Sequence, residues 1–188
     1  MFIVLSGVSS SGKNTVMEAL IDKRKNLRIL ERSSGTTRPP RESDARFNTY
    51  VYLSREEFEK GIKEGKFYEH ELVHDNYYGM FKSKLKEVKE DKNFDYIRDI
   101  DVKGNVNLKK FFDQNCPMIS IFLDAPDEVL RERLLRRGDS PADIEKRLSR
   151  SELERSYKHN YDLVIENIDL EKTVEKISEF IDCKSNNK

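Results

Sequence analysis

Apolar runs at residues 2–5, 94–100, 118–123 and 163–165 are separated by stretches of helical character. This is the pattern of buried parallel strands joined by crossover helices, and it predicts an α/β core. Between residues 32 and 83 the pattern changes to short aromatic-rich strands, carrying Tyr50, Tyr52, Phe67 and Tyr68, around a single helix. Ser54 and Glu57 have capping-box spacing at the start of that helix, and Phe58 and Ile62 share one of its faces. An inserted subdomain of mixed α/β structure is expected there. Residues 126–159 are helical and rich in arginine, broken by Gly-Asp-Ser-Pro at 138–141, where Pro141 suits the first turn of a second helix. The segmentation is a core of residues 1–32, 84–125 and 156–188, a subdomain at 33–83 and a helical lid at 126–155. The tail beyond Cys183 is expected to fray.

Composition narrows the chemistry. The 188 residues carry 35 Lys and Arg against 35 Asp and Glu, so no global basic field collects nucleic acid or anionic lipid, and any anion site must be built locally. One such place is visible. Across residues 131–150, Arg131, Arg133, Arg136, Arg137, Lys146, Arg147 and Arg150 face only Glu132, Asp139, Asp143 and Glu145. The first apolar run has neither a preceding basic region nor a small-residue cleavage site, so neither a signal peptide nor a membrane span is expected. Cys116 and Cys183 are far apart and read as reduced thiols, which points to the cytoplasm. His70 and His74 fall in a strand-like segment, about 13 Å apart along the chain and too far for one metal.

Directly after the first strand comes Gly7-Val8-Ser9-Ser10-Ser11-Gly12-Lys13-Asn14-Thr15, followed by helix-spaced apolar residues. Glycines let successive N–H groups turn inward, a helix N-terminus adds positive dipole, and Lys13 reaches the terminal phosphates of a nucleotide. An ordinary Gly/Ser turn is the competing reading. Asn14 stands where a phosphate loop usually carries Ser or Thr, with Thr15 next. A second constellation, Ser34-Gly35-Thr36-Thr37-Arg38-Pro39-Pro40-Arg41, sets two guanidiniums around a proline-stiffened turn, an arrangement suited to a phosphate monoester.

Taken in order and over nearly the whole chain, these segments resemble the guanylate kinase family. SGVSSSGKNT resembles its phosphate loop, SGTTRPPR its S-x-T-T-R-x-P-R loop, and NYYG at 76–79 its N-Y-Y-G turn. Asp99-Ile100-Asp101 with Gly104 resembles its D-I-D-x-Q-G segment, and Arg133-Leu134 with Arg137-Gly138 its R-L-x-x-R-G lid. Arg147-Leu148 resembles its second lid arginine, and Glu166-Asn167 the end of its last strand. The resemblance implies phosphoryl transfer from ATP to GMP with Mg²⁺. Gly7, Ser9, Ser10, Ser11, Gly12, Lys13, Asn14 and Thr15 would cradle the ATP phosphates, and Arg133, Arg137 and Arg147 would close over them, with Asn167 near the adenine. Lys13 and the three lid arginines would be catalytic. Ser34, Glu69 and Asp101 would read guanine, while Arg38, Arg41, Tyr50 and Tyr78 would hold the GMP phosphate. Thr15 and Asp99 would organise the metal through water.

The departures are Met80 for a Ser or Thr that would face the base, Ser10 for a loop Gly, Lys103 for Gln, and Phe47 for Gly. Met80 cannot donate a hydrogen bond, so GMP binding somewhat weaker than in a Ser-bearing relative is expected. Asp99 and Asp101 also read as strand-end carboxylates capping the next helix. Two other functions fit parts of the pattern: another small-phosphate kinase, such as a ribose bisphosphate kinase, and a non-catalytic guanylate-kinase-like domain that binds peptides. Gly12-Lys13 and the lid arginines speak against the latter.

Overall fold

The computed structural model describes residues 1–73, 75–112 and 116–186. Its chain begins with β1 (Phe2–Gly7), the phosphate-loop segment and α1 (Lys13–Lys23), then β2 (Leu27–Ile29). The inserted segment follows as β3 (Ser34–Thr36), β4 (Tyr50–Tyr52), α2 (Arg55–Lys63), β5 (Phe67–Val73) and β6 (Asn76–Phe81). The chain returns through α3 (Lys82–Glu90), β7 (Asp95–Asp99), α4 (Val102–Leu108) and β8 (Met118–Asp124). It closes with α5 (Asp127–Arg137), α6 (Pro141–Ser156), β9 (Leu163–Glu166) and α7 (Leu170–Asn186).

The larger sheet is parallel throughout, in the order β2-β7-β1-β8-β9. Phe2, Ile3, Val4 and Leu5 of β1 are fully buried because helices cover both faces of this central strand. Side-chain alternation sorts the strand between two cores. Ile3 and Leu5 join Ile97 and Ile121 against Val16, Met17 and Leu20 of α1 and Val174, Ile177 and Ile181 of α7. Phe2 and Val4 join Tyr96 against Leu85 and Val88 of α3, Leu108 of α4 and Met80 of β6. The expected parallel α/β core is therefore present. The edge strand β2 went unforeseen, since three residues with an exposed Arg28 give no apolar run. The expectation for the tail was wrong as far as Asn186, because α7 continues through Lys184 and Ser185.

The smaller sheet has the order β4-β3-β6-β5, antiparallel except for the β3–β4 pair. Its outer side is an aromatic stack: Phe58 lies 4.3 Å from Phe67 and 5.0 Å from Tyr77, ring centre to ring centre, and Phe67 lies 5.0 Å from Phe81. Gly79 of the N-Y-Y-G turn is required by that stack, since a Cβ there would stand 2.8 Å from the Phe67 ring and 2.9 Å from the Phe58 ring. The capping box predicted for α2 is present, Ser54 Oγ accepting from the Glu57 amide and the Glu57 carboxylate from the Ser54 amide. In the lid, Gly138 ends α5 in a left-handed conformation and Ser140 caps α6, with Pro141 in its first turn.

Candidate active site

The first half of the site grows from the end of β1. Gly7 must be glycine, because its φ is +147° and a Cβ would fall 2.0 Å from the Leu123 carbonyl oxygen of β8. The loop then turns through Ser10 at φ 63° and Gly12 at φ 92° before α1 begins at Lys13. Ser10 is thus a non-glycine residue held in the left-handed region, at the loop position where the sequence departs from Gly. The half-buried Lys13 donates from its ammonium to the Gly7 and Val8 carbonyls at 2.7 and 3.0 Å. Its pKa is lowered by burial, an effect that the nearby Glu154 and Asp99 carboxylates oppose.

Arginines of α5 and α6 lean on this loop. Arg133 donates to the Ser10 carbonyl at 3.4 Å and the Asn167 carbonyl at 2.8 Å, and burial lowers its pKa. Arg147 reaches Ser9 Oγ at 3.3 Å. Arg137 and Arg147 also converge on Asp139, with N–O distances of 2.6, 2.7 and 3.0 Å, and the Arg137 contact holds the Asp139 carboxyl below its usual range. Asn167 is buried and clamps the loop, its amide nitrogen donating to the Ser11 carbonyl at 2.7 Å. Between loop and lid lies a cleft of about 350 Å³.

That cleft is also lined by Asp143, Lys146 and Arg150, which the sequence reading counted in the charged segment without giving them individual roles, and by Glu154, which it did not single out. Arg147, Arg150 and Glu154 are spaced i, i+3 and i+7, one face of α6, and this is the signal that could have found Glu154. Its Oε1 pairs with Arg150 Nε at 3.1 Å while Oε2 is buried without a partner, and burial raises its pKa against the pull of Lys13.

The second half of the site is a floor made by cross-strand register. Tyr50 pairs with Ser34, Ser34 with Met80, and Met80 with Glu69, so one row runs across all four strands of the smaller sheet. Tyr78 lies beside this row, opposite Thr36, with its ring 6.4 Å from that of Tyr50. Arg38 is buried, its guanidinium bonded to both Asp44 oxygens at 3.0 and 2.9 Å and stationed 5.5 Å from the Tyr50 ring centre. Burial works against its charge, but Asp44 overrides it and leaves the pKa raised. Arg41 is exposed on the same turn. Asp44, which also accepts from Tyr52 at 2.7 Å, was not singled out in the sequence.

At the other end of the row, burial pushes the Glu69 carboxyl up; an Asn107 amide bond at 2.7 Å opposes this and the Asp101 charge adds to it. Asp101 does cap α4, Oδ1 accepting from the Lys103 and Gly104 amides at 2.9 and 2.8 Å. Gly104 separates the two acids: a Cβ there would meet Glu69 Oε1 at 3.1 Å and Asp101 Oδ1 at 3.5 Å. Met80, which stands in the row between Ser34 and Glu69, is buried and packs into the second core. Asp99 stands at the end of β7, 4.0 Å from Arg98 Nε. Asn14 and Thr15 are exposed on the first turn of α1. Asp99, Asn14 and Thr15 offer the hard oxygen donors that Mg²⁺ takes. Among the described residues no cluster of three or more His, Cys, Asp or Glu is placed to hold a metal by itself.

A guanylate kinase family model matches residues 1–184. The chain belongs to the guanylate kinase family. It is 41% identical over 178 residues to a guanylate kinase of Helicobacter pylori, covering 93% of this chain and 83% of that one. A guanylate kinase of Porphyromonas gingivalis is 39% identical over 183 residues, with 95% of each chain covered. Among solved structures, guanylate kinase from Anaplasma phagocytophilum superposes with a TM-score of 0.71 at 28% identity, over 98% of this chain and 85% of that one. Shikimate kinase from Aquifex aeolicus, at 19% identity and a TM-score of 0.51, shares the fold. As a guanylate kinase family member the chain is a nucleoside monophosphate kinase.

Proposed function

We propose that this chain moves the γ-phosphoryl group of ATP to a phosphate oxygen of GMP, and of dGMP, giving ADP and GDP. The observation that carries the acceptor is the cross-strand row: Arg38, Tyr50 and Tyr78 at one end suit a phosphate, and Glu69 beside Asp101 at the other suits a base that donates hydrogen bonds. Guanine presents N–H groups on that edge. The acceptor phosphate is anionic at neutral pH, so no general base is needed. An acceptor oxygen attacks the γ-phosphorus while the bond to the β-phosphate oxygen breaks, and catalysis is positioning plus charge stabilisation.

Lys13, Arg133, Arg137 and Arg147 answer the charge that builds between donor and acceptor, and Gly7 to Thr15 hold the ATP phosphates with their amides. Arg137 and Arg147 exchange part of their contact with Asp139 for phosphate. Asn167 holds the loop in shape near the adenine. Ser34, Glu69 and Asp101 read the base, with Arg41 joining Arg38 on the phosphate. Mg²⁺ supplies neutralisation of the β and γ oxygens, and Asp99 and Thr15 would hold it through water. The subdomain at 33–83 and the lid at 126–155 close over the core and exclude water. Cys116 is buried and Cys183 exposed, and read as reduced thiols they fit the cytoplasm. ADP release measured with GMP, AMP, CMP, UMP and ribose phosphates tests the assignment; a sugar phosphate or AMP outrunning GMP would overturn it.

A further inference from the structure

Arg98 takes no part in the roles above, yet it stands beneath the acceptor floor. It lies on β7 opposite Val4 of β1 and is 3% exposed. Nη2 donates to Ser34 Oγ at 3.2 Å, and the guanidinium carbon is 5.4 Å from the Tyr50 ring centre. Nε and Nη1 are buried without a hydrogen-bond partner, and the nearest ion-pair contact is the 4.0 Å approach of Nε to Asp99. A buried guanidinium so poorly paired destabilises a fold that an aliphatic side chain would suit better, so packing does not account for it.

We propose that Arg98 is a positioning residue that sets Ser34 as a hydrogen-bond donor and thereby selects a 6-oxo purine over a 6-amino purine. A serine hydroxyl has one proton and two lone pairs, whereas a guanidinium only donates. With an oxygen lone pair of Ser34 facing Arg98, the hydroxyl proton must turn elsewhere, and among the described residues Ser34 Oγ makes no other hydrogen bond. The proton is left for a ligand on the row. Met80, the neighbour of Ser34 in that row, has no donor, so the donor there is Ser34 itself. The site then presents a donor at Ser34 and an acceptor at Glu69 in the row, with a second acceptor at Asp101 across Gly104. The 6-oxo group of guanine accepts where the 6-amino group of adenine would bring donor against donor. This inference rests on the base-reading role given to the row under the proposed function.

The test uses the full chain as wild type, Arg98→Leu, Ser34→Ala and the double variant. The readouts are the KM and kcat for GMP, the ratio of KM for 6-thio-GMP to that for GMP, inhibition by ribose 5-phosphate, and thermal melting. Arg98→Leu should raise the GMP KM about 2- to 12-fold, the worth of one net hydrogen bond, with a smaller change in kcat. It should shrink the penalty for the weaker sulfur acceptor and leave ribose 5-phosphate inhibition unchanged. Because Arg98 acts through Ser34, the double variant should be no worse than Ser34→Ala. Additive effects, an unchanged GMP preference, or a parallel loss of ribose 5-phosphate binding would overturn the proposal, the last by showing that the guanidinium serves the phosphate. Arg98→Met, which keeps a long apolar stem, repeats each readout if the leucine variant melts early. A wild type that prefers AMP to GMP would remove the base-reading role itself, before any variant is compared.

Discussion

In the cleft proposed for the phosphate donor, cations rest on main-chain oxygens or share one carboxylate: Lys13 on Gly7 and Val8, Arg133 on Ser10 and Asn167, Arg137 and Arg147 together on Asp139. On the floor proposed for the acceptor, Arg38 is bonded to both oxygens of Asp44 and buried beneath its own turn. The first arrangement lets several charges rearrange when a polyphosphate arrives. The second fixes one guanidinium in place before any ligand binds. A lid must strengthen its contacts as charge develops, whereas a cradle must hold the acceptor with equal strength throughout, and these are different demands on the same residue type.

The largest test of this contrast is Lys13→Met. Loss of the ammonium held by the phosphate loop should lower turnover about 10²- to 10³-fold with the fold intact by circular dichroism, since a preorganised charge is what the neutral side chain lacks. Wild-type turnover in the folded variant would remove the donor assignment. Next, Arg38→Ala should raise the GMP KM by about 10-fold or more, as expected for charge-assisted bonds, whereas Arg137→Ala should chiefly lower kcat. A reversed pattern would mean that the two halves are assigned the wrong way round.

Acidity sharpens the comparison further. Burial raises the Glu69 pKa above its usual value, so as pH falls the carboxylate gains its proton earlier than an ordinary Glu and stops accepting from the base. The GMP KM should therefore climb on acidification starting above the usual carboxylate range, and Glu69→Gln should lack that limb in its KM–pH profile. Asp139→Asn should have a small effect, lowering the ATP KM about 2- to 5-fold by releasing two exposed guanidiniums from a weak surface network. The smallest change is Ser10→Gly. Relief of the left-handed strain, less the entropy that glycine adds to the unfolded chain, should stabilise by about 0.5 to 1 kcal/mol, a rise of about 1 to 4 °C in Tm.

The loop proposed for the donor was legible because it is contiguous: nine residues from Gly7 to Thr15 carry the turn glycines, the amides and the lysine, and local sterics alone dictate how they curl. The helices of the lid were legible for the same reason, through Gly138, Ser140 and Pro141. Glu154 was not, because its proximity to Lys13 depends on how α6 packs over the loop. On the acceptor side, Tyr50, Ser34 and Glu69 could be named from their motifs, but neither their common row nor its order follows from spacing. Register across four short strands decides both, and it is set by packing of the aromatic stack around Gly79.

Sequence by itself therefore determined the alternation that buries β1 on both faces, the loop that turns its end toward a phosphate, and the caps that start and stop the lid helices. These are local properties of backbone sterics and hydrophobic period. Only the tertiary structure decided that Met80 belongs to the core, that Asp101, already readable as a helix cap, faces Glu69 across Gly104, and that Arg98 comes up beneath Ser34. Those relations join residues far apart along the chain, Arg98 and Ser34 being separated by 64 positions, and contact there is settled by which sheet faces which and not by any pattern along the chain.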